Sequence, residues 1–130
     1  MEFNQLSSKI IQAAIAVHKE LGPGLLESVY QSCIVIELEN MGIKFKAQVS
    51  LPIAYRGKKV DGQGFRLDLL VEDTVVVELK SVEKVEAVHK KQLLTYLRLA
   101  DKPLCLLINF NESLLRDGIT RIINTAEGSG

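Results

Sequence analysis

Residues 104–110, Leu104-Cys105-Leu106-Leu107-Ile108-Asn109-Phe110, form an almost unbroken apolar run. A strand with one wet face alternates apolar and polar residues, so a run of this length and composition reads as a strand buried on both faces. Helical periodicity precedes it over residues 85–100, with Leu93, Leu94, Leu97 and Ala100 as the core stripe and Asp101-Lys102-Pro103 as the stop. Before that helix lies another β-rich segment, Thr74-Val75-Val76-Val77-Glu78-Leu79-Lys80. Strand, helix and buried strand in this order imply a right-handed crossover, with the helix covering one face of a mixed sheet.

The rest of the chain supplies the remaining layers. Ile10, Ile11, Ala14, Ile15, Val17 and Leu21 recur at helical spacing over residues 6–21, with Ser7 or Ser8 as cap and Gly22-Pro23-Gly24 as terminator. A second helix is predicted over residues 26–41, with Leu26, Val29, Tyr30, Cys33 and Ile34 inward and Gly42 at its end. Period two takes over at residues 45–55, interrupted by Pro52 and ending in the basic turn Arg56-Gly57-Lys58-Lys59. Residues 65–71 pair with the segment ending at Lys80 as a hairpin, and Arg121-Ile122-Ile123 supplies a short final strand. The expected fold is α/β, a mixed sheet flanked by helices in the order ααβββαβ with that final strand. Residues 1–126 form one domain, and 127–130 a flexible tail. At 130 residues the chain suits one core.

Composition narrows the function classes. The chain is 47% apolar and 25% charged, ordinary for a globular domain, and its 16 basic and 16 acidic residues cancel. A neutral domain has no bulk attraction for nucleic acid, so such binding needs a local basic patch. Two stretches qualify: Lys84, His89, Lys90 and Lys91, and Lys44, Lys46, Arg56, Lys58 and Lys59. No apolar run is long enough to span a membrane and the start lacks a signal peptide's features, so a cytoplasmic protein without membrane partners is expected. Cys33 and Cys105 lack zinc or redox spacing and read as buried free thiols.

Chemistry concentrates on the hairpin. Glu78 and Lys80 share one face of an otherwise apolar strand, where isolated charges are costly unless they meet solvent, a partner charge or a metal. If Val71 pairs with Val75 around the three-residue loop Glu72-Asp73-Thr74, Asp68 falls opposite Glu78; a two-residue loop would put Val77 there instead. Two carboxylates and an ammonium suit metal-dependent phosphodiester hydrolysis, because Mg²⁺ takes hard oxygen ligands and is held by one or two carboxylates plus substrate phosphate. Glu27 sits in the first turn of the second helix, where the macrodipole favours a carboxylate. His89, Gln92 and Tyr96 form a helical stripe that can face the acidic cluster, with Gln92 supporting a phosphate or water.

Gly24-Leu25-Leu26-Glu27-Ser28-Val29-Tyr30 matches G-x-x-E-x-x-Y, and it is followed in order by Asp68, Glu78-Leu79-Lys80, Gln92-Leu93-Leu94-Thr95-Tyr96-Leu97 and Leu107-Ile108-Asn109-Phe110. This set resembles the GxxExxY protein family, a small prokaryotic branch of the PD-(D/E)XK nuclease superfamily, over nearly the whole chain. The resemblance implies a restriction-endonuclease-like sheet, Asp68 and Glu78 as metal ligands, Lys80 as the catalytic lysine and Glu27 as an additional acid beside the metal. It also implies a catalytic supporting role for Gln92 and Mg²⁺ as cofactor, with Mn²⁺ as substitute. The superfamily's motif proline is absent, Leu67 standing before Asp68. The expected function is a Mg²⁺-dependent nuclease acting on DNA or RNA, with nucleic acid as partner and a homodimer or protein partner to assist. The alternatives are a non-catalytic nuclease-like binding module and a purely structural ion-pair network.

Overall fold

The computed structural model describes residues 2–125, with the backbone alone at 52 and 61–64; the expected tail at 127–130 lies outside the described residues. Helices α1 (Phe3–Leu21) and α2 (Glu27–Asn40) come first, then strands β1 (Phe45–Tyr55), β2 (Lys58–Val71) and β3 (Val75–Lys80). Helix α3 (Ala87–Ala100), strand β4 (Leu104–Asn109), a 3₁₀ turn (Leu115–Gly118) and strand β5 (Ile119–Ile123) complete the order. The strands form one sheet in the order β1-β2-β3-β4-β5. Only β3 and β4 run parallel, joined through α3, and the other neighbours are antiparallel.

Alternation along the central strands sorts the core into two layers. Val75, Val77 and Leu79 of β3 and Leu104, Leu106 and Ile108 of β4 pack with Leu6, Ile10, Ala14, Tyr30 and Ile34 of α1 and α2. Val76, Cys105 and Leu107 face the other way, against Leu93 and Leu97 of α3. Every residue of β4 is buried, as a strand covered by helices on both faces must be.

Several boundaries differ from expectation. Helix α1 starts at Phe3 with the Glu2 side chain accepting from the Asn4 N–H, and Ser7 is buried inside the helix instead of capping it. Leu26 and Val29 face outward, because the inward stripe of α2 is Tyr30, Ile34 and Leu38. Leu94 is half-buried, as is Cys33, whereas Cys105 is buried; both thiols are free. Strand β2 begins at Lys58, so β1 and β2 pair from Phe45↔Val71 to Tyr55↔Lys58, with a register shift between Leu51 and Ile53. Arg56 and Gly57 close this hairpin with φ of 51° and 76°, the left-handed values that a two-residue turn requires at both positions. Among the described residues no helix is long and apolar enough to cross a membrane.

Candidate active site

The β2–β3 hairpin turns through Glu72, Asp73 and Thr74, and Val71 pairs with Val75, Leu70 with Val76 and Leu69 with Val77. Continued one step, this register sets Asp68 opposite Glu78, but the backbone ladder stops at Leu69. Two side-chain bonds take its place. Glu78 Oε1 accepts the Asp68 N–H at 2.8 Å, and Asp68 Oδ2 accepts the Leu79 N–H at 2.8 Å. Each carboxylate thus satisfies a backbone donor on the opposite strand.

Strand alternation also breaks at this point. Leu67 packs in the α3-side cluster and Leu69 in the α1/α2-side cluster, although residues two apart in a regular strand share a face. The partner strand turns over at the same level, with Phe45 packed on one side, Val49 on the other, and Gln48 between them at a φ of 53°. The seam lets Asp68 reach toward α2. It lines a cleft of about 420 Å³ with Glu27, Ser28, Gln31, Ser32 and Gln48. The Gln48 amide donates to Gln31 Oε1 at 2.7 Å and reaches Asp68 Oδ1 at 3.4 Å.

Glu78 is only 5% exposed. Burial first, and the negative charge of Asp68 second, push its carboxyl up to about 8, against the opposing pull of the Asp68 N–H and the Lys80 charge. Burial likewise raises the Asp68 carboxyl above its ordinary value, and the Leu79 N–H, the Gln48 amide and Lys80 counter this in part. Glu27 adds its charge to the rise in both. Lys80 is half-buried and, among the described residues, makes no hydrogen bond or ion pair with either carboxylate. A structural ion-pair network is therefore not what this cluster forms.

A divalent cation suits this donor set. Asp68 Oδ1 is met only by the distant Gln48 amide and Glu78 Oε2 accepts no hydrogen bond among the described residues, which leaves one hard oxygen on each carboxylate. Glu27 stands beside the pair rather than in it. Its Oε2 accepts the Ser81 N–H at 3.2 Å, and among the described residues no three His, Cys, Asp or Glu side chains are gathered as an ion-holding group.

Glu27 owes its position to its two neighbours in the sequence pattern. Gly24 adopts a φ of 94°, which L side chains rarely take up, in the turn that leads into α2. Tyr30, fully buried and stacked on Phe110 at 4.2 Å between centroids, donates its hydroxyl to Gly22 O at 2.6 Å and accepts the Leu25 N–H at 3.1 Å. The tyrosine thus pins the loop that delivers Glu27.

Asn109 performs the same service at the end of β3, a role its sequence did not disclose. It is buried; its Oδ1 accepts the N–H groups of Val82 and Asn111, and its Nδ2 donates to Val82 O. With Phe110 N–H on Lys80 O at 2.8 Å, these bonds fix the chain that leaves Lys80. The only available signal was an amide inside an apolar run. Gln48 gave none, because glutamine is not a residue that marks a left-handed position.

The α3 stripe makes no hydrogen bond to the acidic cluster among the described residues. Gln92 is exposed and forms no hydrogen bond among the described residues, and Tyr96 stacks on Phe65 at 4.1 Å. His89 is half-buried with Nδ1 lacking a hydrogen-bond partner. Residues 4–122 match the family model of the PD-(D/E)XK nuclease superfamily. No curated protein and no solved structure matches the chain.

Proposed function

We propose that this chain, which belongs to the PD-(D/E)XK nuclease superfamily, is a metal-dependent nuclease that hydrolyses phosphodiester bonds of DNA at Asp68, Glu78 and Lys80. The reading includes membership of the GxxExxY branch, supported by the linked roles of Gly24, Glu27 and Tyr30 around one turn. One observation carries it: the two carboxylates replace the β2–β3 ladder, each anchored on a backbone N–H with one oxygen left over. A fold spends sheet hydrogen bonds and buries a repelling acidic pair only where something compensates, and a hard cation does so.

Asp68 and Glu78 are the residues that would hold Mg²⁺, or Mn²⁺ in its place, with Glu27 shaping the field from the side. When bound, the ion supplies charge for the phosphate and acidifies water. Lys80, with no hydrogen bond or ion pair to a carboxylate among the described residues, is available to orient the nucleophile or to neutralise the charge developing on phosphate oxygen. Asn109 and Tyr30 are positioning residues that hold the ends of the two elements the site draws on. Gln92 is a supporting residue only if substrate binding brings it into play.

The test is cleavage of single-stranded and duplex DNA and of RNA with Mg²⁺ or Mn²⁺, in wild type, Asp68→Asn and Lys80→Ala. Cleavage of DNA that needs metal and is lost in both variants supports the reading. Cleavage of RNA alone moves the substrate, and unchanged cleavage by either variant removes the site. A second reading, a non-catalytic binding module, draws on the absence of a third gathered ligand among the described residues. Its mark would be metal and nucleic-acid binding in wild type without turnover.

A further inference from the structure

We infer that the β1–β2 ribbon is a duplex-DNA arm, which carries the substrate preference of the site beyond the residues that do chemistry. The inference rests on the nuclease reading above. Strand β3 pairs only with the last three residues of β2, so the hairpin continues past the sheet as a two-stranded ribbon closed at Arg56-Gly57. Asp68 is the first β2 residue beyond the last β2–β3 pair, so the arm starts at the site itself. Ten residues separate it from Lys58, roughly 30 Å at the usual rise per strand residue. That is about one turn of duplex.

Charge is segregated on this arm. Residues 45–67 hold Lys46, Arg56, Lys58, Lys59 and Arg66 against the single acid Asp61, although the chain as a whole is neutral. All five basic residues are exposed. At the tip the Arg56 guanidinium lies 5.5 Å from the centroid of the Tyr55 ring, whose residue is 65% exposed, so an aromatic and three cations are presented together. None of the five takes part in an ion pair among the described residues.

Groove dimensions decide the polymer. The major groove of B-DNA, about 12 Å wide, admits a two-stranded ribbon, whereas that of A-form RNA is too narrow and deep to read. A single strand offers no rigid phosphate track that would meet both the site and a tip ~30 Å away. Duplex DNA fits the length, shape and charge together.

The experiment measures anisotropy of a labelled DNA hairpin with a 6-bp stem, about 20 Å long and so shorter than the arm, a 24-bp DNA duplex, a 24-nucleotide single strand and a 24-bp RNA duplex, with Ca²⁺ replacing Mg²⁺. Wild type is compared with Arg56→Ala/Lys58→Ala/Lys59→Ala, and Lys58→Glu serves as a milder second variant. Wild type should bind the 24-bp DNA at least ~10-fold tighter than the 6-bp stem, and the triple variant should lose that advantage with a salt slope lower by about 2–3. Lys58→Glu should lose part of the same advantage, and both variants should melt as wild type does. With Mg²⁺, cleavage of the 6-bp stem, too short to reach the tip, should be the same in wild type and triple variant. The inference is overturned if the triple variant binds 24-bp DNA as wild type does, or if single strand or duplex RNA binds as tightly as duplex DNA. It is also overturned if the substitutions change self-association but not DNA binding, which would make the ribbon an interface between copies. Wild type that binds no nucleic acid overturns the nuclease reading as well, and the two failures are thereby told apart.

Discussion

Replacing Glu78 with glutamine separates the cost of its charge from everything else the residue does. The amide keeps an oxygen for the Asp68 N–H and nearly the same volume, so the main loss is the proton equilibrium. In the folded protein that carboxyl titrates near 8 rather than 4.5, raised by burial and then by Asp68. Below the ordinary value both folded and unfolded states hold the proton, and the protonated, buried carboxyl contributes its full stability. As pH rises from 4.5 toward 8 the unfolded chain ionises while the folded one does not, so that stability is progressively lost. At about 1.4 kcal/mol per unit, the shift amounts to some 3–5 kcal/mol, less whatever water entry relieves. Urea unfolding in EDTA should therefore show wild type weakening between pH 5 and 8.5 by about 3 kcal/mol more than Glu78→Gln. Adding Mg²⁺ at pH 8 should restore wild type, by about 2.7 kcal/mol at a hundred times the dissociation constant, and leave the variant unmoved. Parallel pH curves for the two proteins would refute the electrostatic account of the buried pair.

Lys80→Ala should lower cleavage at least ~100-fold yet change unfolding free energy by no more than about 1 kcal/mol, because among the described residues the amine holds no direct ion pair; a large early melt would make it a strut. Asn109→Ala should cost about 2–4 kcal/mol in urea unfolding, since three hydrogen bonds to the chain after β3 and inside its own turn are lost. Gly118→Ala should fail to fold or melt far below wild type, because a Cβ there would lie 2.3 Å from the Asn109 carbonyl oxygen. Gln92→Ala should leave the melting temperature unchanged and reduce cleavage far less than Lys80→Ala, its side chain being exposed and without a hydrogen bond among the described residues.

Much of this protein was legible in one dimension. Residues 104–110 announced a strand covered on both faces, and β4 is one, because no strand alternation gives five successive apolar residues, Leu104 to Ile108, a wet side. The three-residue loop at Glu72 was one of two registers compatible with the chain, and it is the one adopted. Local sequence could not choose it, since the loop lacks glycine and places Glu72 and Asp73 at φ of 51° and 54° all the same. Tertiary pairing of β2 with both β1 and β3 overrides that local cost.

The sequence by itself determined which residues carry charge inside an apolar sheet, because Asp68, Glu78 and Lys80 interrupt patterns that burial alone would fill with valine and leucine. Only the tertiary structure decided how those charges are used. Strand alternation presumes a regular ladder, and the ladder ends where the carboxylates bond to the opposite backbone. That seam turns Asp68 toward α2 and Glu27, and among the described residues Lys80 makes no hydrogen bond or ion pair with either carboxylate. It arises from the flip at Gln48 and Asp68 in two paired strands, a conformation set by long-range contacts on both faces of the sheet and not by the preferences of either residue.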